Sequence, residues 1–174
     1  MLKEMTEKIE LWLNIVHYCI YKVDYKFHLL SNKLNPFLLL GKIPALKRKF
    51  EEQGTTQEEV VNKVWGNRRY GFGVMVSGGG LAIILFFIVW TIFLLLNSLL
   101  KHPINFSWPP FAVCMAIAYA ICHLLVFRKD RYIKYFKKFD KWTRQEKWKY
   151  GILSFAFIVG VVVLWLYSFR FLPR

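Results

Sequence analysis

The chain has 174 residues, 56% of them hydrophobic, and its 25 Lys and Arg against 11 Asp and Glu give a net charge of +14. Its mean hydropathy of +0.31 is too high for an ordinary soluble domain. Nucleic acid is not an expected partner, because the basic charge adjoins long apolar runs and is interleaved with aromatic residues typical of membrane boundaries.

An apolar stripe in residues 2–23 predicts an amphipathic helix. Its members recur every three or four positions, the spacing of one helix face: Leu2, Met5, Ile9, Trp12, Val16, Cys19 and Val23. Polar residues such as Glu10 and Asn14 are expected on the other faces. The stripe can pack on the rest of the chain, lie on the membrane surface, or serve as a partner-docking helix.

The start of the chain bears on targeting, and the three cysteines bear on redox chemistry. Glu4 and Glu7 precede its main apolar run, which is not typical of a secretory signal peptide. The cysteines Cys19, Cys114 and Cys122 have no spacing that indicates a metal site or a disulfide framework. Targeting is therefore expected to depend on membrane spans.

Two shorter helices are predicted between this segment and the membrane. The chain should break near Pro36, and a basic helix should follow Pro44 and stop at Gly54. Thr55 and Glu58 form a capping-box signature for the next helix. Residues 1–70 are thus predicted to be a cytoplasmic amphipathic helical region.

Residues 71–174 are predicted to form an all-α, polytopic membrane region with three transmembrane helices at about 79–100, 109–127 and 151–169. The uncharged run from Tyr70 to Leu100 is too long for one upright span. Because glycine is a poor helix former, Gly78, Gly79 and Gly80 predict a late start or a bend, and they are candidate helix-packing residues. Asn97 should lie at the outer end, where water can satisfy it.

The distribution of basic residues predicts the orientation. Residues 1–69 hold twelve Lys and Arg and residues 128–150 hold ten, against one in the short connection after the first span and two at the tail. The positive-inside rule then places the N-terminus and residues 128–150 inside and the C-terminus outside. The compact chain favours a bacterial cytoplasmic membrane.

Residues 128–150 have two interpretations. The segment can lie flat on the anionic inner leaflet, with cationic side chains contacting lipid: Arg128, Lys129, Arg131, Lys134, Lys137, Lys138 and Lys141. Alternatively, the second span continues as a helix to about Phe139, turns at Asp140 and restarts with Thr143 and Glu146 as a capping box, which makes a helical hairpin. The second interpretation is favoured because its start signal is local and specific.

The second span carries a small-residue face. Ala112, Ala116 and Ala120 repeat every four residues, and a parallel row lies beside them: Cys114, Ala118 and Cys122. Such faces let helices approach closely in lipid, within one chain or between subunits. His123, one residue further on, is expected to hydrogen-bond a neighbouring helix rather than to bind a metal.

No catalytic, cofactor-binding or metal-binding motif is present; Ser77 to Gly80 lacks the Lys-Ser/Thr of a phosphate loop. The sequence therefore predicts a non-enzymatic, multi-pass membrane subunit or anchor of a larger complex, such as a secretion, conjugation or transport machine. The expected partners are anionic inner-leaflet lipids and other membrane subunits or further copies of the chain. The alternatives are an oligomeric pore or small-solute transporter, and a membrane-bound immunity or regulatory protein.

Overall fold

The computed structural model describes residues 2–32, 35, 38, 43–100, 104 and 108–171. Of these residues 89% are helical and none is in a strand, which confirms the all-α class. The helices are α1 Leu2–Ser31, α2 Pro44–Glu52, α3 Gln57–Gly66, α4 Phe72–Ser98, α5 Trp108–Cys122, α6 Arg131–Asp140 and α7 Arg144–Ser168. A π-helix, His123–Phe127, and a 3₁₀ turn, Arg128–Asp130, join α5 to α6, and a second 3₁₀ turn, Phe169–Phe171, follows α7.

Three helical segments are long and apolar enough to cross a membrane, as the sequence predicts. They are Phe72–Ser98, Trp108–Asp140 and Arg144–Phe171, whose most apolar windows have mean hydropathies of 2.7, 2.1 and 2.4. The protein is therefore a polytopic membrane protein with an additional N-terminal helix.

The first of these helices begins earlier than the glycines suggest. α4 runs unbroken through residues 78–80 for 27 residues, so a late helix start is wrong. At about 1.5 Å per residue the helix is about 40 Å long, which exceeds a hydrocarbon core of about 30 Å. Such a helix must tilt or extend beyond the core.

The chain folds as two compact units. Unit 1 comprises Met1–Cys19 and Gly79–Arg174, and unit 2 comprises Ile20–Gly78. The predicted division near residue 70 concerns position relative to the membrane and stays a prediction. The packing units have different bounds because α1 and α4 each contribute to both units.

Aromatic side chains join the three spanning helices within unit 1. Phe86 of α4 meets Phe111 of α5 edge to face, with ring centroids 4.9 Å apart. Phe87 stacks on Trp165 of α7 at 4.2 Å. These contacts place both α5 and α7 against α4.

Asn97 closes the connection between α4 and α5. Its Nδ2 donates to the Ile104 carbonyl at 2.9 Å, and its Oδ1 accepts from the Ile104 N–H at 2.8 Å. The side chain is only 2% exposed. The expectation that water satisfies Asn97 is therefore wrong, because the following loop supplies both partners.

The basic segment forms the predicted helical hairpin. α6 ends at Asp140, and Thr143 caps α7 by accepting from the Glu146 N–H while the Glu146 carboxylate accepts from the Thr143 N–H. The predicted continuous helix from the second span to about Phe139 is wrong, because Lys129 and Asp130 have left-handed φ angles of 59° and 53° and break the helix before α6.

In unit 2 a polar network joins the second half of α1 to α3. His28 stacks on Trp65 at 4.2 Å, and Trp65 Nε1 donates to Asp24 at 2.9 Å. Asn62 Oδ1 accepts from Asn32 at 2.6 Å and lies 3.1 Å from His28 Nε2.

The cap of α3 lies one residue later than predicted. Thr56 and Glu59 form the capping box, so the assignment to Thr55 and Glu58 is wrong. Thr55 still contributes, because its hydroxyl donates to Glu59 Oε2 at 3.2 Å.

Candidate functional site

The middle of α1 packs between α6 and α7, the two helices joined at the hairpin turn; we call this contact the α1–hairpin interface. Six consecutive α1 residues, 13–18, are all buried, so the helix is covered on every side there. Trp12 meets Phe157 of α7 edge to face at 5.8 Å. On another side, the His17 ring lies 5.0 Å from that of Phe136 in α6.

Polar side chains of α1 point into this interface. Asn14 and His17 are 0% exposed. The Asn14 amide donates to the Leu125 carbonyl at 3.3 Å. Leu125 lies in the π-helix just before the break in the helix, and carbonyls near a helix end need partners from outside the helix, which the Asn14 amide provides.

The interface continues along the hairpin. The Tyr18 hydroxyl donates to Asp140 Oδ1 at 3.0 Å, at the turn between α6 and α7. Cys19 Sγ lies 3.7 Å from the Tyr150 carbonyl. Burial raises the pKa of the Cys19 thiol, and the neighbouring Ser154 side chain partly opposes that rise. The thiol therefore acts as a packing group rather than a nucleophile.

A half-buried ion pair lies at the edge of this interface. Arg131 Nη1 donates to Glu10 Oε2 at 2.6 Å, and the Tyr135 hydroxyl donates to Glu10 Oε1 at 3.2 Å. Together with Lys134 and Lys138 these residues line a depression of about 310 Å³, which we call the basic groove.

Three of the seven predicted lipid contacts, Arg131, Lys134 and Lys138, line this groove. Six of the seven cationic side chains are exposed, and Arg131 is half-buried in its ion pair. On α6 the opposite face is aromatic and buried, with Tyr132, Phe136 and Phe139. The helix is thus amphipathic, with its exposed cations on the side away from the protein core.

The predicted docking stripe of α1 is not one uniform surface. Met5, Ile9 and Val23 are exposed, Trp12 and Cys19 are half-buried, and Val16 is buried, while the Leu2 side chain lies outside the described residues. The exposed part continues beyond the predicted end. Val23, Phe27 and Leu30, at helical positions i, i+4 and i+7, are 68%, 68% and 64% exposed; we call these three residues the exposed α1 stripe.

A row of polar α1 residues was missed by the sequence analysis. It is spaced every three or four positions, and its members are buried or hydrogen-bonded within the protein: Glu10, Asn14, His17, Tyr21, Asp24 and His28. The spacing was visible in the sequence. Such a row by itself does not indicate burial, because polar rows on a helix usually face water.

The two small-residue rows of α5 have different surroundings. Cys114, Ala118 and Cys122 are buried within the chain. In the other row Ala112 is half-buried, whereas Ala116 and Ala120 are exposed. The first row therefore serves internal packing, and the second is open to lipid or another protein.

The α4 glycines also differ. Gly78 is buried, Gly80 is half-buried, and Gly79 is exposed, and beyond its own stretch of helix backbone no described atom lies within 4 Å of a Cβ built on it. His123 is exposed, and its ring stacks on Tyr119 with centroids 6.2 Å apart.

In the part of the chain that the structure describes, no group of three or more His, Cys, Asp or Glu side chains is placed to hold a metal ion. The contacts described above are suited to binding and packing. That the protein is not an enzyme stays a prediction.

The fold and these surfaces define an all-α, multi-pass membrane protein whose N-terminal helix is packed against a basic helical hairpin. Comparison with protein-family models, curated proteins and solved structures gives no match.

Proposed function

We propose that this protein is a non-catalytic membrane subunit or anchor that helps to assemble a larger membrane complex, such as a secretion, conjugation or transport machine. The proposal includes the bacterial cytoplasmic membrane, with the N-terminus and residues 128–150 inside and the C-terminus outside. The partners are other membrane subunits or further copies of the chain, together with anionic inner-leaflet lipids.

The exposed α1 stripe carries the proposal. Large apolar side chains on one helix face mark protein or membrane interaction sites, and burying one such side chain is worth about 1.5–3 kcal/mol. On α1 the polar residues Asp24 and His28 are engaged within the protein, whereas Val23, Phe27 and Leu30 are not covered. A helix with this pattern is suited to bind in a groove of a partner protein, with the side chains at i, i+4 and i+7 as the main contacts.

The open row on α5 supports the same function. Ala116 and Ala120 are exposed although they lie in a spanning helix. Small residues there let another helix approach closely within the membrane. The protein thus offers a docking face on α1 and a packing face on a span.

The mass of the complex extracted from native membranes tests the proposal. In mild detergent we expect assemblies well above the chain mass of 20.8 kDa, and Val23→Asn with Phe27→Asn should reduce that mass. A matched control is Val60→Asn with Val64→Asn, which changes two exposed valines four positions apart on α3. A monodisperse wild-type monomer with no co-purifying partner would contradict the proposal.

An oligomeric pore or transporter is the alternative hypothesis, and an immunity or regulatory protein is a further one. Conductance in liposomes that contain only this protein would favour a pore over a subunit. Inhibition of a single partner protein by this protein would favour the immunity or regulatory role.

A further inference from the structure

The basic groove has the dimensions of a small binding site. It is an open depression of about 310 Å³ that is lined by Glu10, Arg131, Lys134, Tyr135 and Lys138. This volume is near the lower end of the range of about 300–1,000 Å³ for ligand pockets, which suits a small polar group.

The charge of the groove favours an anion. Of the described side chains that line it, three are cations and one, Glu10, is a carboxylate. Arg131, Lys134 and Lys138 lie at i, i+3 and i+7 on one face of α6, where cations four positions apart destabilise a helix. A bound anion would relieve that repulsion.

The cation at the centre is held in place. Glu10 binds Arg131 through Nη1 and also accepts from the Tyr135 hydroxyl. A guanidinium has five N–H donors arranged in a planar fork that matches phosphate oxygens. The ion pair engages Nη1 and fixes the group, so its other donors can meet a phosphate.

The position of the groove identifies the source of the phosphate. Arg131 lies four residues after Phe127, where the apolar part of the second spanning helix ends. Charged side chains directly beyond a span lie at the level of lipid headgroups. With residues 128–150 at the anionic leaflet, as proposed above, lipid headgroups are present beside the groove at high local concentration.

From these observations we infer that the basic groove binds the phosphate of one anionic phospholipid headgroup. Lys134 and Lys138 supply charge, and Arg131, oriented by Glu10, supplies directed hydrogen bonds. The inference rests on the proposed position of residues 128–150 at the anionic leaflet. Of the seven cationic residues predicted to contact lipid, it assigns three to this site: Arg131, Lys134 and Lys138.

Native mass spectrometry of the full chain in neutral detergent tests the inference. Phosphatidylglycerol, phosphatidylcholine and glycerol 3-phosphate are the probes. The wild type should hold one phosphatidylglycerol at concentrations where the other two do not bind. Lys134→Gln with Lys138→Gln should weaken this binding by at least about tenfold, because each removed cation loses attraction to the anionic group.

The matched control is Lys137→Gln with Lys141→Gln, which removes two exposed cations four positions apart in the same segment but outside the groove. Its binding should change by less than about twofold. Unchanged thermal unfolding without lipid would show that both double variants are folded.

Three results would overturn the inference. Equal losses in the two double variants would show general charge attraction and no site. Glycerol 3-phosphate binding as tightly as the lipid would assign the groove to a soluble phosphate. A poly-glutamate peptide that binds more tightly than the lipid, and is lost in the groove variant, would assign it to an acidic protein segment. Lipid is counted on the isolated chain, so the result does not depend on whether the wild type is found in a larger complex.

Discussion

At the residue scale, Asn97 should be a major determinant of the α4–α5 connection. Replacing it by Ala removes both hydrogen bonds to Ile104 and leaves two backbone groups without that partner. We expect Asn97→Ala to lower the free energy of unfolding by about 1–3 kcal/mol, measured by equilibrium unfolding in mild detergent.

The neighbouring serine is the control for Asn97. Ser98 is exposed, and its hydroxyl donates only within its own helix, to the Leu95 carbonyl at 2.7 Å. Ser98→Ala should therefore change stability by less than about 0.5 kcal/mol. Equal effects of the two substitutions would show that the Ile104 contact does not stabilise the protein.

Two glycines should respond oppositely to Ala. A Cβ at Gly71 would overlap the Asn67 carbonyl oxygen and lie 2.7 Å from the carbonyls of Trp65 and Val64. Gly71→Ala should destabilise by about 1–3 kcal/mol through this overpacking. Gly79 lies inside α4 with open space around it, so Gly79→Ala should stabilise by about 0.5–1 kcal/mol.

Thermal unfolding of both glycine variants checks this contrast, and a loss of stability in Gly79→Ala would contradict it. A bulkier residue at position 79 tests whether another molecule packs against this face of α4. Because no atom of the described chain occupies that space, impaired assembly of Gly79→Leu with normal insertion would place another molecule against this face.

At the element scale, the Glu10–Arg131 pair should couple α1 to α6. Its side chains are 17% and 34% exposed, so solvent screens the pair less than a surface pair. A double-mutant cycle with Glu10→Gln and Arg131→Gln should give a coupling energy of about 1 kcal/mol or more.

A surface pair on the same helix is the control. Glu4 and Lys8 are 68% and 74% exposed at 2.8 Å, and exposed pairs of this spacing contribute about 0.3–0.5 kcal/mol. If both cycles gave equal coupling energies, the Glu10–Arg131 pair would be another surface contact and would not fix α1 to the hairpin.

The capping boxes show how much of the structure the local sequence can predict. Thr143 and Glu146 are the one such pair at the start of α7, and the prediction there is confirmed. Before α3, Thr55 and Thr56 each precede a glutamate by three residues, Glu58 and Glu59 respectively. The local sequence cannot distinguish these two overlapping capping-box signals, and in the structure the second one, Thr56 with Glu59, forms.

The faces of α1 could not be assigned from its own sequence. The three-to-four spacing correctly predicts a helix, but polar rows usually face water. The partners of Asn14 and Glu10, Leu125 and Arg131, lie 111 and 121 residues away. Only the tertiary fold shows that these polar residues are turned inward.

At the scale of the whole molecule, the three spans were predictable because their signal is local and additive. Apolar length alone identifies a spanning helix. The break at Lys129 and Asp130 was not predictable in the same way, since left-handed backbone is uncommon outside glycine and, although Asp is enriched in it, most Asp residues do not adopt it. One such break redirects the chain between α5 and α6.

The orientation prediction belongs to this scale as well. Single cysteines at Leu100, after α4, and at Gln145, in α7, lie at opposite ends of spanning helices, and both residues are exposed. With twenty-two Lys and Arg in residues 1–69 and 128–150, the positive-inside rule places residue 145 inside. A membrane-impermeant maleimide added to intact cells should label Leu100→Cys and spare Gln145→Cys.

All three native cysteines are replaced by Ser so that only the introduced thiol can react, although the native thiols themselves should react slowly. Cys114 and Cys122 are buried, and the raised pKa of Cys19 lowers its thiolate fraction and slows its reaction with maleimide. Permeabilised cells should label both positions, which shows that each engineered thiol is reactive. Labelling of Gln145→Cys alone in intact cells would invert the topology, and labelling of both there would mean that residue 145 is not shielded by the membrane. Either result would remove the basic groove from the anionic leaflet, so the orientation experiment also decides whether the lipid inference can apply in the cell.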